Sequence, residues 1–255
     1  MEKDLQGKTA LVTGASSGLG TGIAERLAAA GALVAVCYAS DKAGAEATVA
    51  RIEAAGGQAF IAQAKLGGEA EARKLADAAC AEFERRTGSE KLDILVNNIG
   101  GGDYGSILDV TEEAFDKVVS NNMRAAFFLT KVLHPKLRDF GRVINLSSVG
   151  ARLTDPNIIV YTMVKAAVDA FTRVLSAELG PRGITVNAVA PGFTAGPTND
   201  YIVNDPVAAK GVTDVTALRR FGQPQEIADV VYALASPLGR WVTAQSVEAS
   251  GGFKL

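Results

Sequence analysis

The chain has 255 residues, enough for one large domain, and carries 26 Lys and Arg against 28 Asp and Glu for a formal net charge of -2. That balance offers no basic face, so neither nucleic acid nor a membrane surface is expected as a partner. A composition 48% hydrophobic and 21% charged excludes a disordered chain.

Strand-like and helical runs alternate along the chain. "KTALVTG" (8–14) reads as a short strand, and the apolar residues of 19–31 recur at helical spacing up to a capping Gly31. A second strand at 33–38 and a helix closed by Gly56 and Gly57 follow, then a strand at 58–64 and a helix at 69–86. The rhythm continues with a strand at 92–98, a long helix within 111–138, a strand at 142–148, a helix at 158–180 and a strand at 183–192. The strands are nearly continuous hydrophobics, as expected when helices cover both faces of a parallel sheet. The pattern predicts one doubly wound α/β domain over 1–255, Rossmann-like, with no internal boundary. Only 193–222 breaks it. Rich in Gly, Pro, Asp and Thr and placed after a strand, this segment is a candidate substrate lid, with Phe193, Tyr201, Ile202, Val203 and Val207 as an apolar wall.

No apolar run reaches the ~18 residues needed to cross a bilayer. The start of the chain lacks the layout of a signal peptide, and Cys37 and Cys80 read as reduced packing residues, so a cytoplasmic protein is expected. His134, the sole histidine, reads as a helix-end residue, and no metal site is visible.

"TGASSGLG" (13–20) joins the first strand to the first helix. Gly14 suits a tight turn, Gly18 a close backbone approach and Gly20 close helix–strand packing, with Ser16, Ser17 and Leu19 completing the loop. A helix N-terminus there offers unpaired N–H groups and a positive dipole end, which fit a pyrophosphate. The acid that commonly reads NAD through its ribose 2′-hydroxyl lies about 20 residues on. Here the second strand ends "VCYASDK", with Tyr38 in that place. With no carboxylate to repel a 2′-phosphate, and Ser40 and Lys42 able to donate to one, NADP(H) is favoured and NAD(H) remains possible, since no arginine follows the strand.

"YTMVK" (161–165) sets Tyr161 and Lys165 on one face of a helix. A phenol of ordinary pKa, about 10, exchanges protons poorly at neutral pH. A neighbouring ammonium favours the phenolate, so Tyr161 is expected to act as general acid in reduction and general base in oxidation.

With "TGASSGLG", "NNIG" (97–100), "LSS" (146–148), "YTMVK" and "PG" (191–192) in this order, the chain resembles the short-chain dehydrogenase/reductase family over essentially its whole length. The likeness is to its compact branch, which includes 3-oxoacyl-carrier-protein reductases and ketone reductases. The resemblance implies an oxidoreductase acting on a small-molecule carbonyl/alcohol pair through an Asn–Ser–Tyr–Lys set. Tyr161 and Lys165 match directly, Ser148 fits the family spacing better than Ser147, and Asn122 followed by Met123 matches better than Asn121. It also implies that Lys165 bonds the nicotinamide ribose, that Asn122 anchors a proton-relaying water, and that Leu66, Asn98, Gly100, Pro191, Gly192 and Thr194 contact the cofactor. A homotetramer is implied as well, with 111–138 and 158–180 packing across a two-fold axis. The chain departs from the family pattern at Lys65, where an Asp near the adenine is usual and where a cation either favours the extra phosphate or is simply solvated, and at Ile99 in place of alanine. A non-catalytic dinucleotide sensor or scaffold of the same fold is the alternative, against which the intact Asn122, Ser148, Tyr161 and Lys165 argue.

Overall fold

The computed structural model describes residues 3–255. In chain order, β1 (Thr9–Val12) leads into α1 (Gly18–Ala29), β2 (Leu33–Tyr38) into α2 (Lys42–Ala54) and β3 (Gln58–Gln63) into α3 (Glu69–Thr87). After β4 (Leu92–Asn97) come α4 (Glu112–Val119), α5 (Ala125–Leu133), β5 (Leu137–Leu146) and α6 (Ile159–Leu179). The chain then forms β6 (Thr185–Pro191), α7 (Asp200–Val203), α8 (Pro206–Asp214), α9 (Pro224–Ala235) and β7 (Ser246–Ala249). The seven strands make one sheet in the order β3-β2-β1-β4-β5-β6-β7. Every pairing in it is parallel. This is the expected doubly wound α/β domain.

Continuous apolar strands follow from this layering, because β1, β2, β4 and β6 are buried along their whole length. On one face α1, α2 and α9 pack Ile23, Leu27, Ile52, Ile227 and Val231 against the sheet. On the other, α3, α5 and α6 contribute Leu75, Phe83, Leu129, Leu133 and Leu175. Each such side chain, fully buried, stabilises the fold by roughly 1.5–3 kcal/mol. The strand order turns back between β1 and β4, and the crevice beyond their carboxyl ends is where this architecture binds ligands.

Three boundaries differ from the sequence expectation. The long helix of 111–138 is interrupted by a π-helical turn at Ser120–Arg124 and stops at Leu133. Pro135, which lacks an N–H, then sits in a single 3₁₀ turn at His134–Lys136, and β5 starts at once. Its register against β4 jumps between the Leu92–Leu137 and Ile94–Arg142 pairs. The segment 193–222 is not all loop, since it contains α7 and α8, the latter capped by the Asp205 carboxylate on the N–H groups of Val207 and Ala208.

Candidate active site

A cleft of about 580 Å³ opens at the carboxyl ends of the strands, lined by the glycine loop, the ends of β2, β3 and β4, Tyr161, Lys165 and 191–199. Of the catalytic and cofactor-binding residues expected from sequence, all but Asn122, Tyr38 and Lys42 line it.

The glycine loop fits a phosphate. Gly18 opens α1 at φ +55°, with free space where a side chain would project, and a Cβ on Gly20 would overlap the Gly14 carbonyl. No side chain caps the N-terminus of α1 and no acid lies in its first turn, whereas α2, α4 and α8 are capped by Asp41, Thr111 and Asp205. The unclaimed N–H groups of α1 therefore face the cleft with the positive end of the helix dipole. The loop is pinned to β4: Thr13 Oγ1 accepts from the N–H groups of Asn98 (2.8 Å) and Ile99 (3.0 Å), and Asn98 Nδ2 donates to the carbonyls of Thr13 (2.8 Å) and Gly14 (3.1 Å).

Beyond the end of β2 the structure corrects the sequence reading. Tyr38, the last residue of that interior strand, turns into the core beside α1 and α2 and is only 4% exposed. Ser40, Asp41, Lys65 and Leu66 line the cleft instead. A carboxylate is thus present after all, that of Asp41, whose Oδ1 accepts from the Gly44 N–H at 2.9 Å. Lys42 is directed to Glu46, 3.3 Å away, and does not line the cleft.

Ser148, Tyr161 and Lys165 converge at the other end. Ser148 starts a 3₁₀ turn at Val149–Arg152, its Oγ accepting from the Gly150 N–H at 3.0 Å. Tyr161 stands in the first turn of α6 and Lys165 in the next. The Lys165 ammonium donates to the Leu146 carbonyl at 2.8 Å and lies 5.6 Å from the centre of the Tyr161 ring. Burial brings the Lys165 amine down to about 8, against a smaller upward pull from Asp169. Burial also pushes the Tyr161 phenol up, and its hydrogen bond with Ser148 opposes this. Burial thus opposes the acidification of the phenol expected from a neighbouring ammonium. Ser147 is buried and its Oγ donates to the Lys165 carbonyl at 3.4 Å, so its hydroxyl is engaged in holding α6 to β5.

Asn122 sits in the π-helical turn, where widening of the helix redirects side chains. Its Nδ2 donates to the carbonyls of Gly101 and Val118, both at 2.8 Å, and its Oδ1 accepts from the Gly101 N–H at 3.3 Å. The side chain therefore clamps the Gly100–Gly101 loop and does not line the cleft, whereas Asn121 does. Thr194 is buried, its Oγ1 donating to the Gly192 carbonyl at 3.2 Å.

The segment 193–222 has a closed base, since the Gly222 N–H donates to the Phe193 carbonyl and the Gly222 carbonyl accepts from the Ala195 N–H. Of its five expected apolar wall residues, Phe193 lines the cleft and Tyr201, Ile202, Val203 and Val207 do not. The remaining apolar wall comes from Tyr104, Leu153 and Ile158, which sequence reading missed. They lie in irregular stretches with no periodic signal. A β-bridge between Gly105 and Ile158 brings the stretch that carries Tyr104 beside the one that carries Ile158.

An anion cradle at the switch point of a parallel sheet, leading to a tyrosine and a lysine, is the arrangement of a nicotinamide-dependent oxidoreductase. The chain belongs to the short-chain dehydrogenase/reductase family: the family pattern described as enoyl-(acyl carrier protein) reductase matches residues 14–254. An uncharacterized oxidoreductase of Methylorubrum extorquens is 43% identical over 98% of this chain and 99% of its own. The 3-oxoacyl-[acyl-carrier-protein] reductase of Staphylococcus aureus is 38% identical over 97% and 98%. Among solved structures, the angucycline C-6 ketoreductase LanV with bound NADP superposes with a TM-score of 0.94 at 40% identity, covering 100% of this chain and 98% of that one. The same enzyme, as landomycin C-6 ketoreductase, has been solved with NADP and rabelomycin. The chain is an NAD(P)-dependent oxidoreductase of this family. Among the described residues no helix is long and apolar enough to cross a membrane.

Proposed function

We propose that this enzyme reduces a ketone on a free small molecule to a secondary alcohol, with NADP(H) as the preferred dinucleotide. When bound, the dinucleotide supplies the hydride. Gly14, Ser16, Ser17, Gly18, Leu19 and Gly20 would hold its pyrophosphate, Leu66, Asn98 and Gly100 would serve the adenosine half, and Pro191, Gly192 and Thr194 the carboxamide, all of them lining the cleft. Ser148 donates a hydrogen bond to the substrate oxygen as negative charge develops there, and Tyr161 gives that oxygen its proton. Lys165 binds the nicotinamide ribose and keeps a positive charge near the phenol. Asn122 acts as a positioning residue, holding the Gly100–Gly101 loop through the Gly101 backbone where the dinucleotide would pass.

The observation that carries this reading is the meeting of Ser148 and Tyr161 on one wall of the cleft, with the Lys165 amine buried a helical turn away. Tyr161→Phe is expected to abolish NADPH oxidation while leaving NADPH binding, followed by fluorescence titration, intact. A variant that still turns over freely takes Tyr161 out of the mechanism.

For the substrate, Tyr104, Leu153, Ile158 and Phe193 supply an apolar and aromatic wall. Such a wall suits a planar, multi-ring ketone, in keeping with the rabelomycin-bound relative. A screen following NADPH absorbance is expected to show faster turnover of fused-ring phenolic ketones than of 3-oxoacyl thioesters, and the reverse order would refute this choice. We also read the enzyme as a homotetramer. Met123 (38% exposed), Phe127 (46%), Met163 (54%) and Val174 (71%) leave an apolar face on the π turn, α5 and α6 that a second copy would cover. Light scattering that returned a monomer mass would count against it.

A further inference from the structure

Among the described residues two cations line the cleft, at opposite ends: Lys165 below Tyr161, and Lys65 just past β3. The first is buried and bonded to the Leu146 carbonyl. The second is exposed, and among the described residues no side chain pairs with its amine. The cations around it are otherwise engaged. Lys42 pairs with Glu46, Arg73 and Lys131 share Glu69, and Arg124 donates to the Gly67 carbonyl.

The pairing of β2 with β3 fixes where Lys65 stands. Tyr38 and Gln63 are partners in register, the Ala64 N–H donates to the Tyr38 carbonyl at 2.9 Å, and Gln63 Nε2 donates to the Ala39 carbonyl at 3.1 Å. Continued past the strand ends, that register sets Lys65 opposite Ser40, and both residues line the cleft; neighbouring strands run about 4.8 Å apart, a gap that a four-carbon arm can cover. An NAD-reading site needs an acceptor for the ribose 2′-hydroxyl, and an ammonium has none to give. Asp41, the one carboxylate on this wall, is drawn to the N-terminus of α2, where its Oδ1 caps the Gly44 N–H.

We infer that Lys65, together with the Ser40 hydroxyl, holds the 2′-phosphate of NADP(H) and is the residue that selects the phosphorylated dinucleotide, a role that sequence alone left open between Lys42 and Lys65. The inference rests on the NADP(H)-dependent reading above and assigns it to a position outside the loop after β2. The ammonium and the phosphate form charge-assisted hydrogen bonds at the open mouth of the cleft, so the contact weakens with added salt.

The test is direct binding, without turnover. NADPH and NADH are titrated by fluorescence, and 2′,5′-ADP and 5′-AMP by competition, against the wild type, Lys65→Gln, Lys65→Arg and Lys42→Gln. Lys65→Gln is expected to raise the Kd of NADPH and of 2′,5′-ADP about tenfold, the loss of one contact to a charged group, and to leave NADH and 5′-AMP unchanged. Lys65→Arg keeps the preference, and Lys42→Gln does not alter it. Equal weakening of NADPH and NADH would show that Lys65 serves the adenine, and no weakening of either would leave it a solvated side chain. Both results overturn the assignment while the wild type still prefers NADPH. A wild type that binds NADH as tightly as NADPH removes the cofactor preference itself, and the assignment with it.

Discussion

Replacing Lys165 by methionine is expected to stabilise the folded chain as it removes activity. The amine is almost wholly out of water, and burial carries it from the ordinary 10.5 to about 8. That difference amounts to a penalty of about 3 kcal/mol for keeping the ammonium in the fold, at 1.36 kcal/mol per pKa unit. Methionine fills similar volume without charge, but loses the hydrogen bond to the Leu146 carbonyl, which offsets about 1 kcal/mol. A net gain of about 2 kcal/mol near pH 7 follows. The sign depends on pH. Below about pH 8 the ammonium persists in both folded and unfolded wild type, so the full penalty is present. Between about 8 and 10.5 the folded chain gives up its proton while the unfolded chain keeps it, so wild-type stability rises with pH relative to the variant. Burial also raises the pKa values of Cys37 and Cys80, which lowers stability in alkali, but it does so in both chains and cancels in their difference. Urea unfolding of the two proteins from neutral to alkaline pH measures the gap, which is expected to close and then reverse. A gap that stays constant over this range, or a variant less stable than wild type at neutral pH, refutes the idea that a buried ammonium is held here against its desolvation.

Three further outcomes are expected. Ser148→Ala lowers kcat about 10²-fold, the loss of one donor to a developing oxyanion, whereas Ser147→Ala acts chiefly on thermal stability; steady-state kinetics beside a melting curve separates them. Gly20→Ala drives a methyl group into the Gly14 carbonyl, so the loop must shift, and NADPH titration is expected to show affinity falling by an order of magnitude or more. Arg152 ties the Ser148 turn to the C-terminal segment, donating to both oxygens of Glu248 at 2.7 and 2.8 Å and to the Phe253 carbonyl at 2.6 Å. Phe253 in turn packs on Phe193, ring centres 5.1 Å apart, on the facing wall of the cleft. Arg152→Ala is expected to lower kcat about tenfold with NADPH affinity unchanged, and Arg152→Lys to restore part of it, as read from kcat and Kd measured separately.

The order of strands and helices, the glycine loop and the Tyr161–Lys165 pair were determined by sequence alone, because each is a local matter. Apolar periodicity reports burial on either face of an element, glycine reports where the backbone turns or crowds, and a spacing of four residues on a helix sets two side chains on one face. Hence the parallel sheet, the glycine loop and the tyrosine and lysine on one helix face were legible before any fold was known, whereas Ser148 came from the family resemblance. Other features were settled by long-range packing. Tyr38 and Ser40 are two residues apart, yet only the pairing of β2 between β1 and β3 sends the first into the core and leaves the second at the cleft. Asn122 and Asn121 are adjacent, and the π turn that faces one toward Gly101 and the other toward the cleft leaves no mark in the residue pattern. The apolar wall of Tyr104, Leu153, Ile158 and Phe193 comes from four separate parts of the chain. Above all, the acidity of the reacting pair could not be read from spacing, which brings Lys165 near Tyr161 but says nothing of the water excluded from both. Solvent exclusion belongs to the assembled protein, and here it raises the phenol's pKa and lowers the amine's, against the simple attraction of phenolate for ammonium.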